Sequence, residues 1–477
     1  MKNAYMVLSV VVVLVLAVCA AHGGKIPINN PGFEDPPLVD DDYGWSMDNQ
    51  GWGYVGNNGY LGPWNPTTAD YPGEAPEGLN VGWTNPGEDP LDANLAVPGG
   101  FAQVLSAPLT AGTTYKLTVK VGSSLTYPGS GYAVQLLAGG IPQPTGDGSN
   151  YTGAVTGGTL LAQDNNSLAI ANGTFVTSTV TYTYSPADSD LLEQPLQVRL
   201  IALGWEEVEY DSVSVEATLP ADKALIAPTK GLYVKDGAVQ DNYSLDIGHG
   251  NWTGDARALV KYDLSSLASA TISRATLYLL QSDLGTFDQN GQAQLRRIGT
   301  SNWDGTESAA VLAGLVADAK SAAIANFSPG PNPQGGLYGV DVTDIIRAWA
   351  DGSLPNYGFG LMQASEGLAD SARQFGADPM LLIEYLLGDA NGDGVVDAAD
   401  YITLKKNFGK TTGAGASAGD FNSSGKVNWA DLNILTNNFG AGAPAPAVTP
   451  EPCSAMLLVL GAVALMRRRA GIGRVGR

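Results

Sequence analysis

The sequence predicts a mainly β protein: two tandem β-sandwiches followed by a small α-helical module. Short segments of strict apolar–polar alternation recur between residues 114 and 385, as strands with one buried face require. Gly 61, Pro 28 and only 15% charged residues suit many strands joined by long turns. Two matched segments of helical period appear only beyond residue 400. At 477 residues the chain is long enough for two or three domains, each with its own core.

The elements follow in chain order. Lys2 and the apolar run from Met6 to Cys19 read as a signal peptide over 1–23, with cleavage between Ala20 and Gly23. Leu16-Ala17-Val18-Cys19 approaches a lipoprotein box, but bulky Val18 stands where a small residue belongs. Residues 24–219 form the first sandwich. Its strands include Thr114-Tyr115-Lys116-Leu117-Thr118-Val119-Lys120-Val121, Leu196-Gln197-Val198-Arg199-Leu200 and Asp211-Ser212-Val213-Ser214-Val215. The opening Asn30-Pro31-Gly32-Phe33-Glu34, the central Ala111-Gly112-Thr113-Thr114-Tyr115-Lys116-Leu117 and the closing Val208-Glu209-Tyr210-Asp211-Ser212-Val213 resemble, in order, the jelly-roll carbohydrate-binding modules. The resemblance implies a structural calcium held by Glu34 and Asp211.

Eight aromatics crowd the stretch from Tyr43 to Trp83, among them Trp45, Trp52, Tyr54, Trp64 and Trp83. Flat rings beside Asp48, Asn49, Gln50, Asn57 and Asn58 suit sugar stacking. The alternative is that the rings pin a glycine-rich loop onto the sandwich.

Residues 220–387 form the second sandwich. Tyr233 to Gly237, Ala256 to Leu264, Ile272 to Leu279 and Leu381 to Tyr385 read as strands, and Val340 to Trp349 contains a short helix burying Ile345, Ile346 and Trp349. This series resembles the DNRLRE domain, a β-sandwich related to alginate-type carbohydrate-binding modules. Gln374-Phe375-Gly376-Ala377-Asp378 departs from that family's late stretch. Arg257 and Lys261 share a strand face and serve either an acidic sugar or surface salt bridges.

Residues 388–440 carry two loops of one design. Oxygen-bearing side chains fall at positions 1, 3, 5, 9 and 12: Asp389, Asn391, Asp393, Asp397 and Asp400 in the first, Asp420, Asn422, Ser424, Asn428 and Asp431 in the second. Val395 and Lys426 at position 7 offer main-chain carbonyls, and Gly394 and Gly425 at position 6 permit the turn around a calcium ion. After each loop comes a helical segment ending in Asn-Phe-Gly, with Leu404/Phe408 and Leu432/Leu435/Phe439 at helical spacing. A paired EF-hand would have an incoming helix and Glu at position 12. The duplicated pattern instead resembles the type I dockerin module, which implies a cohesin-like partner. The first loop has more carboxylates, so it is expected to bind more tightly.

After the linker 441–449, residues 450–477 hold Pro450, Glu451 and Pro452, an apolar stretch from Met456 to Met466, and Arg467, Arg468 and Arg469. The stretch gives roughly 20 Å of helix at about 1.5 Å per residue, short of the ~30 Å hydrocarbon core. The order resembles the PEP-CTERM sorting signal of Gram-negative bacteria. That implies an exosortase-like processing enzyme and transient inner-membrane contact through the C-terminal helix.

A formal net charge of −22 argues against nucleic acid as a partner. Both cysteines, Cys19 and Cys453, lie in the terminal signals, so no disulfide braces the body. Once the signal peptide is removed only His249 remains to serve histidine chemistry, and Gly415-Ala416-Ser417-Ala418-Gly419 matches a nucleophile elbow without its strand–turn–helix setting. Among the many acids, Glu206, Glu207 and Glu209 beside Trp205 are an example of a cluster that paired-carboxylate chemistry could use. The expectation is an exported, non-catalytic surface or extracellular-matrix protein that binds extracellular polysaccharide and docks through a calcium-ordered module. The alternatives are a glycoside hydrolase or polysaccharide lyase, and a purely structural exoprotein.

Overall fold

A computed structural model describes residues 22–442 apart from 45–50, 57–60, 86, 90–91, 130, 142–153, 205, 241–243, 250–254, 268–271, 282–291, 319, 328–335, 369–370, 414 and 423. The signal-peptide and sorting-signal readings, Trp45 and Trp205 therefore lie outside the described residues.

The first sandwich stacks two antiparallel sheets. One runs Thr174–Thr183, Thr114–Ser123, Val208–Leu219, Val81–Thr84, Leu61–Trp64, with His22–Ile26 added to the third strand. The other runs Thr159–Asn165, Tyr132–Ala138, Pro195–Ala202, Gly99–Pro108, Gly53–Val55. Alternation predicts the register well. Tyr115, Leu117, Val119 and Val121 all point into the core, against Leu196, Val198 and Leu200 of the facing sheet. Along Val208–Leu219 the pairing slips between Asp211 and Ser214, and Ser212 sits at φ 50°. A β-bulge there interrupts the ladder next to Asp211.

The second sandwich has the sheets Lys223–Ile226, Met380–Tyr385, Ile272–Gln281, Arg373–Gly376, Ser244–Ile247, and Ala238–Gln240, Lys230–Lys235, Arg257–Lys261, Phe359–Gln363, Ala293–Arg297, Ala323–Phe327. Helix α1 (Ala309–Ala317) was not foreseen. It covers the outer face of the second of these sheets, burying Leu312, Leu315 and Val316 against Leu259, Ile298 and Trp303. The expected short helix is α2 (Thr343–Ala350), which buries Ile346 and Trp349. Ile345 is only partly buried, at the rim of the core rather than inside it.

The two sandwiches abut. Leu277 and Leu279 face the second core, while Tyr278, Met380 and Leu382 join the first sandwich's apolar cluster. Leu280 packs with Ala102 and Val104, which project from the outer face of a first-sandwich strand. Apolar residues at consecutive positions of Ile272–Gln281 thus mark a sheet buried on both faces. The last module holds α3 (Ala398–Asn407) and α4 (Trp429–Asn438) around Val396, Leu404, Phe421, Val427 and Leu435.

Because Leu280 belongs to the junction, Leu280→Ala is expected to cost about 2–5 kcal/mol, the range for a buried leucine. Chemical denaturation of the full chain checks this. A change of about 0.5 kcal/mol or less, the level of a surface substitution, would show that the junction contributes little.

Candidate functional site

The duplicated loops fold alike. In each, the position-12 aspartate is fully buried and accepts three main-chain N–H groups. Asp400 takes those of Ala390, Asn391 and Asp397, and Asp431 takes those of Phe421, Asn422 and Asn428. Both position-1 aspartates accept from the turn: Asp389 from Gly392 and Gly394, Asp420 from Ser424 and Gly425. The same residues start the helices. Asp397 with Asp400, and Asn428 with Asp431, form capping boxes at α3 and α4. One side chain therefore closes the loop and caps the helix, and its negative charge meets the positive end of the helix dipole.

Each loop also pairs with a segment following a helix. Val396 bonds to Gly440 and Ala441 after α4, and Val427 to Gly409 and Lys410 after α3. These reciprocal bonds relate the halves by a pseudo-twofold operation. Leu404 and Leu435 are buried as predicted. Phe408 and Phe439 are instead 37% and 57% exposed, because each is the non-helical cap residue at which the helical spacing ends. Trp429 at 69% and Ile402 at 65% complete an apolar surface on this module, with Phe408 edge-on to Trp429 at 5.1 Å.

Among the described residues, no three His, Cys, Asp or Glu side chains form a group that could hold a metal ion. A calcium ion in the loops would take the rest of its shell from Asn391, Asn422, Ser424, Asn428 and the position-7 carbonyls. That oxygen-only donor set fits calcium.

Glu34 and Asp211 meet around one turn. Glu34 accepts the N–H groups of Leu79 and Asn80, and Asp211 accepts that of Glu77 at 2.8 Å. Burial, with the nearby charges of Glu77 and Glu34, pushes Asp211 up to about 7. Glu77 adds a third acidic charge beside Glu34 and Asp211 and is the member that sequence reasoning missed, but the three do not converge into a group that could hold a metal ion. Glu77 lies in a glycine-rich loop 134 residues from Asp211, with no local pattern to mark it.

The aromatic segment divides. Trp52 is core, stacked on Phe33 at 5.3 Å with its indole N–H donating to the Asn30 carbonyl, which corrects the expectation that it contacts sugar. Tyr54 packs, partly buried, against the same core. Trp64 and Trp83 project from the outer face of the first sheet, cluster with Tyr71, and wall a cleft of ≈ 660 Å³. Tyr43, Tyr127, Asp41, Asp70 and Glu207 complete its main lining.

Beneath it, Glu209 stands opposite Trp83 in the strand ladder, fully buried, with one carboxyl oxygen accepting the Tyr71 hydroxyl at 2.7 Å. Burial, with Glu207 close by, raises Glu209 to about 8. Burial and the charges of Glu206 and Asp70 raise Glu207 to about 7. Desolvation is the larger cause for both.

Elsewhere, Arg257 is paired with Glu366 at 2.6 Å and Lys261 donates to the Trp303 carbonyl, the salt-bridge and surface alternative. The Gly415–Ala418 segment is a single 3-10 turn, which gives its serine no elbow.

Comparison with known proteins adds three family matches: HpiC1 cyclase over residues 24–216, carbohydrate-binding module family 96 over 223–385, and dockerin type I domain over 387–440. For the first sandwich the matching family model is thus that of a cyclase. No curated protein matches. Among solved structures, the Stig cyclase Fisc from Fischerella sp. TAU in complex with (3Z)-3-(1-methyl-2-pyrrolidinylidene)-3H-indole is 31% identical, covering 42% of this chain and 100% of that one, with a TM-score of 0.33. A Fischerella sp. TAU cyclase in complex with 4-(1H-indol-3-yl)butan-2-one is 30% identical over 41% and 99%, with a TM-score of 0.33. The CBM22-1-CBM22-2 tandem of Paenibacillus barcinonensis Xyn10C is 11% identical over 72% and 99%, with a TM-score of 0.23.

Two outcomes are expected. Asp389→Ala with Asp400→Ala should abolish calcium-induced ordering of the C-terminal module, and Asp420→Ala with Asp431→Ala should reduce calcium affinity less; calorimetric titration of the full chain decides, and equal losses would refute the ranking.

Glu209 holds its proton more tightly folded than unfolded, so its stability contribution is complete below its ordinary value near 4.5 and is lost as pH rises through about 8. Glu209→Gln should therefore melt progressively higher than the parent between pH 5 and pH 8.5. The gain is on the order of 1.4 kcal/mol per pKa unit at most. A pH-independent difference would show that Glu209 does not titrate in this window.

Proposed function

We propose that this chain, built of an HpiC1-like domain, a family 96 carbohydrate-binding module and a type I dockerin domain, is an exported surface or matrix protein that tethers polysaccharide to a cohesin-bearing partner. The carrying observation is the duplicated C-terminal module. Its two loops share one hydrogen-bond pattern, and among the described residues it exposes the large apolar side chains of Ile402, Phe408, Trp429 and Phe439, with Phe408 against Trp429, which suit a protein partner. Calcium neutralises the loop carboxylates and so stabilises the helix pair that presents this surface. The second sandwich supplies the polysaccharide contact, and the rigid junction couples it to the first. Export by a signal peptide over 1–23 and sorting through 450–477 in a Gram-negative host complete the reading. No helix among the described residues is long and apolar enough to cross a membrane.

A second reading has an observation of its own. Glu207 and Glu209, raised to about 7 and about 8, have the values a general acid needs near neutral pH, in a domain that matches a cyclase family. It makes the first sandwich an enzyme, with polysaccharide cleavage the chemistry foreseen from sequence.

The full chain is expected to be retarded in gels containing alginate or a neutral glucan, and to bind an immobilised cohesin only with calcium present. Trp429→Ala should weaken cohesin binding at least tenfold and leave retardation unchanged. Calcium-independent capture would overturn the docking role; a reducing-end or unsaturated product from the polysaccharide would favour the enzyme.

A further inference from the structure

The cleft on the outer face of the first sheet joins aromatic walls to a lining whose only charges are acidic. Its walls are the indoles of Trp64 and Trp83 and the phenols of Tyr43 and Tyr127, the last two 53% and 50% exposed at the mouth. Tyr43 lies edge-on to Trp83, with ring centroids 6.3 Å apart. Its polar lining is acidic: Asp41, Asp70 and Glu207 contribute carboxyl groups, and no Lys, Arg or His among the described residues lines it. Behind the Trp83 wall lies Glu209, whose second carboxyl oxygen is buried with no hydrogen-bond partner among the described residues.

The hydrogen-bond inventory narrows the ligand. A neutral sugar could donate its hydroxyls to the carboxyl groups but would leave their charge uncompensated. The hydroxyls of Thr67 and Thr126 already donate to the Asp70 carboxylate, and no cationic side chain among the lining residues meets the acidic charge. An anion is repelled by three carboxyl groups. A neutral apolar molecule would desolvate them without compensation. An alkylated ammonium ion meets both requirements, because its methyl groups and diffuse charge sit against ring faces while the carboxylates supply the counter-charge.

We propose that this cleft binds an organic ammonium cation, held between Trp64, Trp83, Tyr43 and Tyr127 and neutralised by Glu207 with Asp70. The site is separate from the polysaccharide and docking surfaces proposed above, and its occupancy does not depend on either.

Choline is the probe, and its neutral isostere 3,3-dimethylbutan-1-ol is the control, both titrated calorimetrically into the calcium-loaded full chain at pH 8. Choline is expected to bind at one site and the alcohol at least tenfold more weakly. Glu207→Gln should weaken choline at least tenfold, and Tyr127→Ala, a change at an exposed ring that leaves the core intact, at least threefold. Neither variant should alter retardation by polysaccharide. Equal binding of the alcohol would make the cleft merely apolar and overturn the proposal. So would absence of choline binding, or displacement of choline by xylohexaose at a lower concentration than its own.

Discussion

Burial of one sheet on both faces is the constraint on which the two-sandwich body depends. The strands Ile272–Gln281 and Met380–Tyr385 send Leu277, Leu279, Leu381 and Ile383 into their own core and Tyr278, Met380 and Leu382 toward the neighbour. A one-residue slip would exchange the two sets, but both faces are apolar, so the pattern alone does not forbid it. On the neighbouring strand Arg373–Gly376 the two sandwiches come so close that a Cβ at Gly376 would stand 3.1 Å from the Ser106 oxygen, so the junction is also tight at that point. With no cysteine between Cys19 and Cys453, this packed junction does the work that cross-links do in smaller exported domains.

The second theme is how a chain with net charge −22 keeps its acids folded. Few are paired with bases. In the C-terminal module they are organised by main-chain N–H groups, which makes Asp400 and Asp431 structural before any ion arrives. In the first sandwich Asp211 and Glu209 are instead held near protonation by burial, at values of about 7 and about 8. These are different solutions to one desolvation cost. The first suits a loop whose charge is to be met by a metal. The second leaves two proton-binding groups on the same strand just before its bulge.

Legibility from sequence follows the range of the interaction. The duplicated loops were readable residue by residue because the aspartate bonds that fold each of them span at most ten positions. The strands were readable where one face is solvated, as in Thr114–Ser123. Helix α1 was not, since Ala309–Ala317 is apolar nearly all round and carries no amphipathic period. Trp52 and Trp64 have the same composition around them yet differ in fate, because Phe33 and Phe101 reach Trp52 from outside the local segment. The pairing of Glu77 with Asp211 was invisible for the same reason. Glu207 and Glu209 were noticed as a cluster, but their alternation meant more than their number. Glu209 faces outward like Trp83, beneath Tyr71, and that shared face builds the cleft.

The placement of these surfaces on the body argues that they act independently. Trp64, Trp83 and Glu209 occupy the outer face of one sheet of the first sandwich, whereas Ala102 and Val104, which meet Leu280, occupy the outer face of the other. The core of the sandwich separates them. Docking of the second sandwich therefore cannot cover the cleft, and a ligand entering the cleft need not disturb the junction. The cleft sits instead over the strand Val208–Leu219, which also carries Asp211 and pairs with His22–Ile26. The bulge at Ser212 lies three residues from Glu209 on that same strand, so a change in the packing at Asp211 would reach the floor of the cleft through the strand, while the junction on the opposite sheet would not feel it.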